Sequence, residues 1–366
     1  MNHTIGTSQA PKLLHIEFLR VLCIWLVMFT HTSTAGFSLY LVRPESLFFP
    51  LYLAVPFWVK TAVPIFFMIS GALLLGKDEP LSVIFKKRVY RFVKILIIFS
   101  LINYVYFYHG LPLSFAGHVR KFFTLLYSSN LATAYYFLYI YLSFLLMLPL
   151  WRALTKMMTL KLYLYLAGLN LFFVGCIPIL SFAIFKGSAE LNYFLNPLLA
   201  VSEPTFYFLI GYSIEHMLPE KWITPKHLAI LGLCAALGTA LSSYMTYYHG
   251  VVTGGLTEQN SERFYDSFLL LNASFVFLLS KYWFLHHKTS DWARRCLITL
   301  GSLSFGVMLF EEITRSCTRP FFSRILLSFF PRIPFIDAVI WISLAFLLGL
   351  VLTSVVKRIS FFRNLI

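Results

Sequence analysis

Residues 18–40 read Phe18-Leu-Arg20-Val-Leu-Cys-Ile-Trp-Leu-Val-Met-Phe-Thr-His31-Thr-Ser-Thr-Ala-Gly-Phe-Ser-Leu-Tyr40. About 20 mostly apolar residues are enough to cross a bilayer as a helix, so this stretch predicts a membrane span. It is too long for the core of a secretory signal and has no small-residue cleavage site, so it is expected to stay in the protein. Two of its residues are ionisable, which is costly inside a bilayer and points to function. Arg20 and His31 are separated by ten residues. Eleven steps of about 100° end about 20° past three whole turns, so the two side chains share one helix face, about 16 Å apart along the axis. One face thus offers a phosphate-binding cation at one end and a general base farther across. The competing reading is that Arg20 snorkels to the interface while His31 bonds a neighbouring helix.

The rest of the chain agrees with a membrane assignment. Of 366 residues only 12% are charged, about half the usual share. About 58% are apolar when Gly is counted and Tyr is not, against about 45–50% in soluble domains. These values exclude a disulfide scaffold, a disordered chain and an ordinary cytosolic enzyme. Ten windows are long and apolar enough to span: 18–40, 56–76, 92–109, 134–151, 162–185, 197–215, 227–248, 264–285, 297–315 and 335–356. Pro178, Pro204 and the pair Glu311–Glu312 are expected to interrupt the fifth, sixth and ninth. The fold expected is all-α, a polytopic membrane protein of about ten transmembrane helices forming a single domain over 1–366.

The net charge is +15. In a soluble chain this would suggest nucleic acid, but cytoplasmic loops of membrane proteins also collect Lys and Arg. With both termini cytoplasmic, 20 of the basic residues, from Lys12 to Arg363, fall inside and 10, from Arg43 to Arg332, fall outside. That bias supports the orientation. The Arg-bearing stretch 315–332 is expected to be an interfacial segment. The five cysteines form no C-x-x-C pair and read as small buried hydrophobes. No zinc pattern, glycine-rich phosphate loop or catalytic triad is found, and no metal is expected.

Glu17-Phe-Leu-Arg20 through Phe29-Thr-His31-Thr-Ser-Thr resembles the opening helix of the acyltransferase-3 family of integral membrane O-acyltransferases, whose mark is Arg, ten residues, then His. Further segments agree in order. Pro64-Ile-Phe-Phe-Met-Ile-Ser70-Gly71 resembles the second-span motif, and Lys87-Arg88-Val-Tyr-Arg91 the cytoplasmic Arg-x-x-Arg. Tyr136-Phe137-Leu138 stands where members often carry His-Leu-Trp-Phe-Leu. Phe206-Tyr-Phe-Leu-Ile-Gly211-Tyr212 resembles the sixth-span string, and Leu303-Ser304-Phe-Gly306-Val-Met-Leu-Phe310 the string before a late Tyr-Leu-x-His. The resemblance covers nearly the whole chain. It has two departures: Glu311 stands where members often have His, and Ala134, Tyr135 and Tyr136 stand where they often have His and Trp. These remove a second histidine and bear on the acceptor.

The resemblance implies transfer of an acyl group, most often acetyl, from cytoplasmic acyl-CoA to a hydroxyl of a surface polysaccharide or lipid-linked glycan, in a bacterial inner membrane. Acyl-CoA is then a substrate, with no bound cofactor. His31 would be the base that takes the hydroxyl proton, or a transient acyl carrier. Arg20 would sit by the donor, held by Glu17 one turn away. Arg88 and Arg91, at i and i+3, would bind donor phosphates, although without the resemblance they read as part of an ordinary positive-inside cluster with Lys86, Lys87 and Lys94. Ser70 and Gly71 would admit a narrow pantetheine tunnel, or else mark a small-residue helix contact. Tyr136, Glu203 and Glu311 are supporting candidates. The two acids would line a cavity or pair with an outer cation such as Arg315. Pro204 would open a polar cavity by breaking the helix beside Glu203. A rival reading of the same spans and buried acids is a glycolipid or polysaccharide transporter or flippase; a third is a non-catalytic membrane assembly partner. Neither oligomeric state nor acyl chain is legible.

Overall fold

The computed structural model describes residues 13–258, 262–326 and 334–366; Lys12 and Arg332, counted above in the orientation argument, lie outside them. The chain is about 80% helical, with no strand among the described residues. Its helices are α1 (Leu14–Thr30), α2 (Phe49–Val59), α3 (Ala62–Leu74), α4 (Leu81–Tyr108), α5 (Phe115–Ser128), α6 (Tyr136–Met157), α7 (Leu160–Phe185), α8 (Glu203–Tyr212), α9 (Pro225–Thr253), α10 (Leu269–His286), α11 (Asp291–Phe321), α12 (Pro334–Val356) and the short α13 (Ser360–Arg363).

Eight helical stretches among the described residues are long and apolar enough to cross a membrane: Phe49–Leu74 (α2 with α3), α4, α6, α7, α9, α10, the α11 stretch Asp291–Arg324, and α12. The first and sixth expected spans are helical but shorter. α1 has 17 residues and stops at Thr30. There Thr32 Oγ1 donates to the Phe29 carbonyl and accepts from the Phe37 N–H, at 2.7 and 2.9 Å. Ser33 then takes a positive φ of 49°. Hydroxyl side chains offer the backbone partners outside the helix, so residues 33–41 form two tight turns in place of the expected continuation. In the sixth segment, residues 193–200 are likewise turns. Pro204 interrupts nothing there. It occupies the first turn of α8, where its missing N–H would have had no helical partner.

Other expectations also shift. Glu311 and Glu312 lie inside the unbroken 31-residue α11; of the stretch 315–332, residues 315–321 continue that helix and 327–332 lie outside the described residues. Pro178 is preceded by a π-helical turn over Leu171–Cys176, which absorbs the backbone change a proline demands. Of the cysteines only Cys23 is buried, whereas Cys234 and Cys317 are exposed.

Leu233, Leu237 and Leu241 form an exposed i, i+4, i+8 stripe on α9, and Leu347, Val351 and Val355 form another on α12. Such stripes suit a lipid surface. Lipid is as apolar as leucine, so helices gain little by hiding leucine from it and associate through close backbone approach. The α3–α8 crossing shows this. A Cβ on Gly71 would overlap the Phe208 carbonyl, and one on Gly211 would overlap the Met68 backbone. α1 sits at the centre, touching α2, α3, α10, α11 and α12, with Leu19, Cys23 and Met28 fully buried.

Candidate active site

α1 carries the site's two ends. Near its start, Arg20 Nη1 donates to Glu17 Oε1 at 3.0 Å, one turn back. Glu17 is buried against α11, and only a glycine fits opposite it: a Cβ on Gly301 would overlap the carboxylate. Arg20 itself lines a cavity of about 450 Å³, within the usual size range of small-molecule sites.

The cavity has two chemical zones. Arg20, Lys77, Lys87, Arg88 and Arg91 line its basic end. Following each helix away from these cations, its walls become Ile24 on α1, Phe66 and Ile69 on α3, Phe137 on α6, and Met308 on α11. Ser70 lines this wall, its hydroxyl donating to the Phe66 carbonyl at 2.9 Å. Gly71 does not line it; it makes the α3–α8 contact described above.

The basic end is pre-arranged. Arg88 holds Glu79 in a fork, Nε to Oε2 at 2.9 Å and Nη2 to Oε1 at 2.6 Å. Buried Arg152 donates from Nη2 to the same carboxylate at 2.9 Å and from Nε to the Leu74 carbonyl at 3.0 Å. Glu79 lies in the turn between α3 and α4. The Arg88 hydrogen bond, with Arg152 assisting against desolvation, holds its carboxyl down at about 2. The clamp is therefore ionised throughout the physiological range. Arg91 donates from Nε and Nη2 to the Leu365 carbonyl at 3.0 and 2.8 Å, and Ile366 joins the cavity lining. Neither Glu79 nor Arg152 was singled out by sequence, because their contacts join three separate segments.

His31 caps the C-terminal end of α1. Its Nδ1 is 3.0 Å from Glu311 Oε1. The same oxygen accepts from Arg315 Nε at 2.8 Å, and Arg315 Nη1 donates to the His31 carbonyl at 3.2 Å. Glu311 is 1% exposed, and its Oε2 has no hydrogen-bond partner among the described residues. A carboxylate that already accepts from an arginine can only accept from the imidazole. Nδ1 is therefore the nitrogen that donates to Glu311, which leaves Nε2 as the one able to exchange a proton. Met308, in the cavity wall, is three residues before Glu311, so the cavity's apolar end lies about one helical turn from this pair.

A neighbouring strap fixes α11 at this level. The Thr133 N–H donates to Glu312 Oε2 at 2.9 Å. Tyr135 donates to the Leu309 carbonyl at 2.7 Å and accepts from Asn103 Nδ2 at 2.6 Å. Tyr136 is not in this group. It starts α6 close enough to Glu203 to feel its charge, and Glu203 in turn feels Asp266 and Lys60. Glu203 and Tyr136 thus belong to a second polar group, apart from the His31–Glu311 pair. A third group, buried at the other end of α1, joins His15 Nε2 to Glu215 Oε2 at 3.1 Å and Lys281 Nζ to the same oxygen at 3.2 Å. It ties α1, the turn after α8 and α10 together, and no sequence spacing announced it.

Of the residues singled out in sequence, the fold therefore brings Arg20, Ser70, Arg88 and Arg91 to one cavity, sets Glu17 behind Arg20, and pairs His31 with Glu311. No curated protein and no solved structure matches the chain. The family profile described as an acyltransferase domain matches residues 13–358, which includes every one of these positions. With that coverage the chain belongs to the acyltransferase-3 family and is a multi-pass membrane acyltransferase.

Proposed function

We propose that this enzyme moves an acyl group, acetyl in the simplest case, from cytoplasmic acyl-CoA to a hydroxyl of a surface polysaccharide or its lipid-linked precursor, in a bacterial inner membrane. The observation that carries the reading is the His31–Glu311 pair, with no hydrogen-bond partner on Nε2 among the described residues, one turn beyond an apolar cavity whose other end is basic. Coenzyme A has the matching polarity: phosphates at one end, a narrow pantetheine arm, and the thioester at the tip. Its phosphates suit Arg88, Arg91, Lys77 and Lys87, and the arm suits the wall formed by Ile24, Phe66, Ser70 and Phe137. Arg20 stands where it would meet the donor near the base of the arm. The basic end is then cytoplasmic, consistent with both termini inside.

In the reaction the acceptor hydroxyl oxygen bonds to the thioester carbonyl carbon as His31 Nε2 takes the hydroxyl proton. The carbon–sulfur bond breaks, and the coenzyme A thiolate leaves and recovers a proton. Alternatively His31 Nε2 accepts the acyl group itself and passes it on. In either course the imidazole becomes cationic, and Glu311 faces that charge. Mass spectrometry of surface glycans with and without the gene tests the assignment. Loss of an ester-linked acyl mass is expected. An unchanged glycan with glycolipid stranded on the inner leaflet would favour transport instead.

The donor end gives its own expectation. Arg88 lines the cavity, whereas Lys86 does not, although both belong to the same basic cluster. Arg88→Ala should weaken acetyl-CoA binding to the purified full-length protein about tenfold or more, because it removes a cation from the cavity lining and leaves the Glu79 carboxylate held by Arg152 alone. Lys86→Ala should change it less than about twofold. Equal small effects by calorimetry would return Arg88 to a purely topological role.

A further inference from the structure

α5 was not anticipated as an element, and it has three distinct faces. On a wheel of about 100° per residue starting at Phe115, Val119 falls near 40°, Phe123 near 80° and Tyr127 near 120°. These four are 86%, 39%, 59% and 94% exposed. Arg120, Thr124, Gly117, Ser128 and Lys121 follow from about 140° to about 240°. Leu125, His118 and Phe122, from about 280° to about 340°, and Leu126 near 20°, face the protein. His118 Nδ1 lies 3.0 Å from the Tyr104 hydroxyl, Phe122 meets the Tyr104 ring edge-to-face at 5.6 Å, and Leu125 packs in the same cluster. Lys121 Nζ lies 5.3 Å over the Tyr108 ring.

Tyr104 and Tyr108 are in the last turns of α4, a membrane-spanning stretch. α5 is therefore held at the level where α4 leaves the hydrocarbon. Its far end is also fixed: Tyr139 of α6 donates to the Leu126 carbonyl at 2.7 Å. An anchored helix at that depth, with an exposed arc bordered by Arg120 and with Lys121 across the polar arc against Tyr108, has the layout of a helix lying in the membrane plane. We propose that α5 is seated in the headgroup layer of the bilayer. Phe115, Val119, Phe123 and Tyr127 would enter the acyl-chain boundary, while Arg120 and Lys121 engage anionic lipid headgroups. This holds whatever group the enzyme transfers. It also places a lipid-seated element five residues before Thr133, whose N–H holds Glu312 beside the His31–Glu311 pair.

The full-length protein, reconstituted in vesicles of phosphatidylethanolamine and phosphatidylglycerol, tests this with a photoreactive residue. Phe123→p-benzoylphenylalanine should form lipid adducts on irradiation, and Thr124→p-benzoylphenylalanine, on the polar arc, about tenfold fewer. Equal yields at the two positions, or adducts at Phe123 to a second copy of the chain instead of lipid, would overturn the proposal. In the Phe123 variant, adding Arg120→Gln and Lys121→Gln should lower the anionic share of the adducts severalfold. An unchanged share would remove the headgroup contact.

Discussion

Replacing His31 with alanine is expected to abolish acyl transfer, lowering the rate by about 100- to 10,000-fold, the usual worth of a positioned acid–base group, while the protein still inserts and accumulates. The expectation of normal folding comes from the pair's geometry. Removing the imidazole takes one hydrogen bond from Glu311, but Arg315 Nε still donates to Oε1 at 2.8 Å. No buried charge is left alone, so the large cost of an uncompensated carboxylate does not arise. His31→Gln sharpens the test, because an amide can still reach Glu311 yet takes no proton at neutral pH. Both variants should appear in the membrane fraction at normal levels with no ester-linked acyl on surface glycans. Full glycan acylation in either would remove His31 from the chemistry. Loss of the protein in both would place the residue in folding instead.

The Arg20–His31 relation was legible because it depends only on helical period, and period survives whatever packs around the helix. The Arg88 and Arg91 placement followed from the family resemblance, since their spacing alone fits an ordinary positive-inside cluster. Contacts between segments were not legible. His31 and Glu311 are 280 residues apart, and nothing in either local sequence announces the other. Arg315 was foreseen as a partner for the buried acids, but not as the residue that also holds the His31 carbonyl. Gly71 illustrates a different limit. Its sequence neighbourhood fits a tunnel wall and a helix crossing equally well, and only the position of the Phe208 carbonyl decides between them. Pro204 was misread because a proline breaks a helix in its interior yet suits its first turn, and hydropathy does not reveal where a helix starts. α5 escaped because a window search rewards mean hydropathy, whereas an interfacial helix is defined by how its residues sort around the axis.

Substitutions at Glu311 should separate orientation from charge. Oε1 receives both hydrogen bonds, from His31 Nδ1 and Arg315 Nε, while Oε2 has no partner among the described residues. A glutamine can therefore keep its oxygen at the Oε1 position and place its NH₂ where Oε2 stands. His31 keeps its tautomer and its ring plane. What disappears is the negative charge facing the imidazole as it becomes cationic. Glu311→Gln is thus expected to lower kcat about 10- to 100-fold, equivalent to about 1.4–2.8 kcal/mol of barrier, with the donor KM changed less than about twofold because the basic end lies elsewhere. Glu311→Ala removes orientation as well and leaves Arg315 without its partner, so its kcat should fall further, towards the His31→Ala level. Initial rates at saturating acyl-CoA, measured in vesicles, give the order wild type, Gln, Ala. If Gln and Ala are equally impaired, orientation adds nothing to the charge. If Gln is fully active, Glu311 is a structural anchor for Arg315 and has no part in the proton transfer.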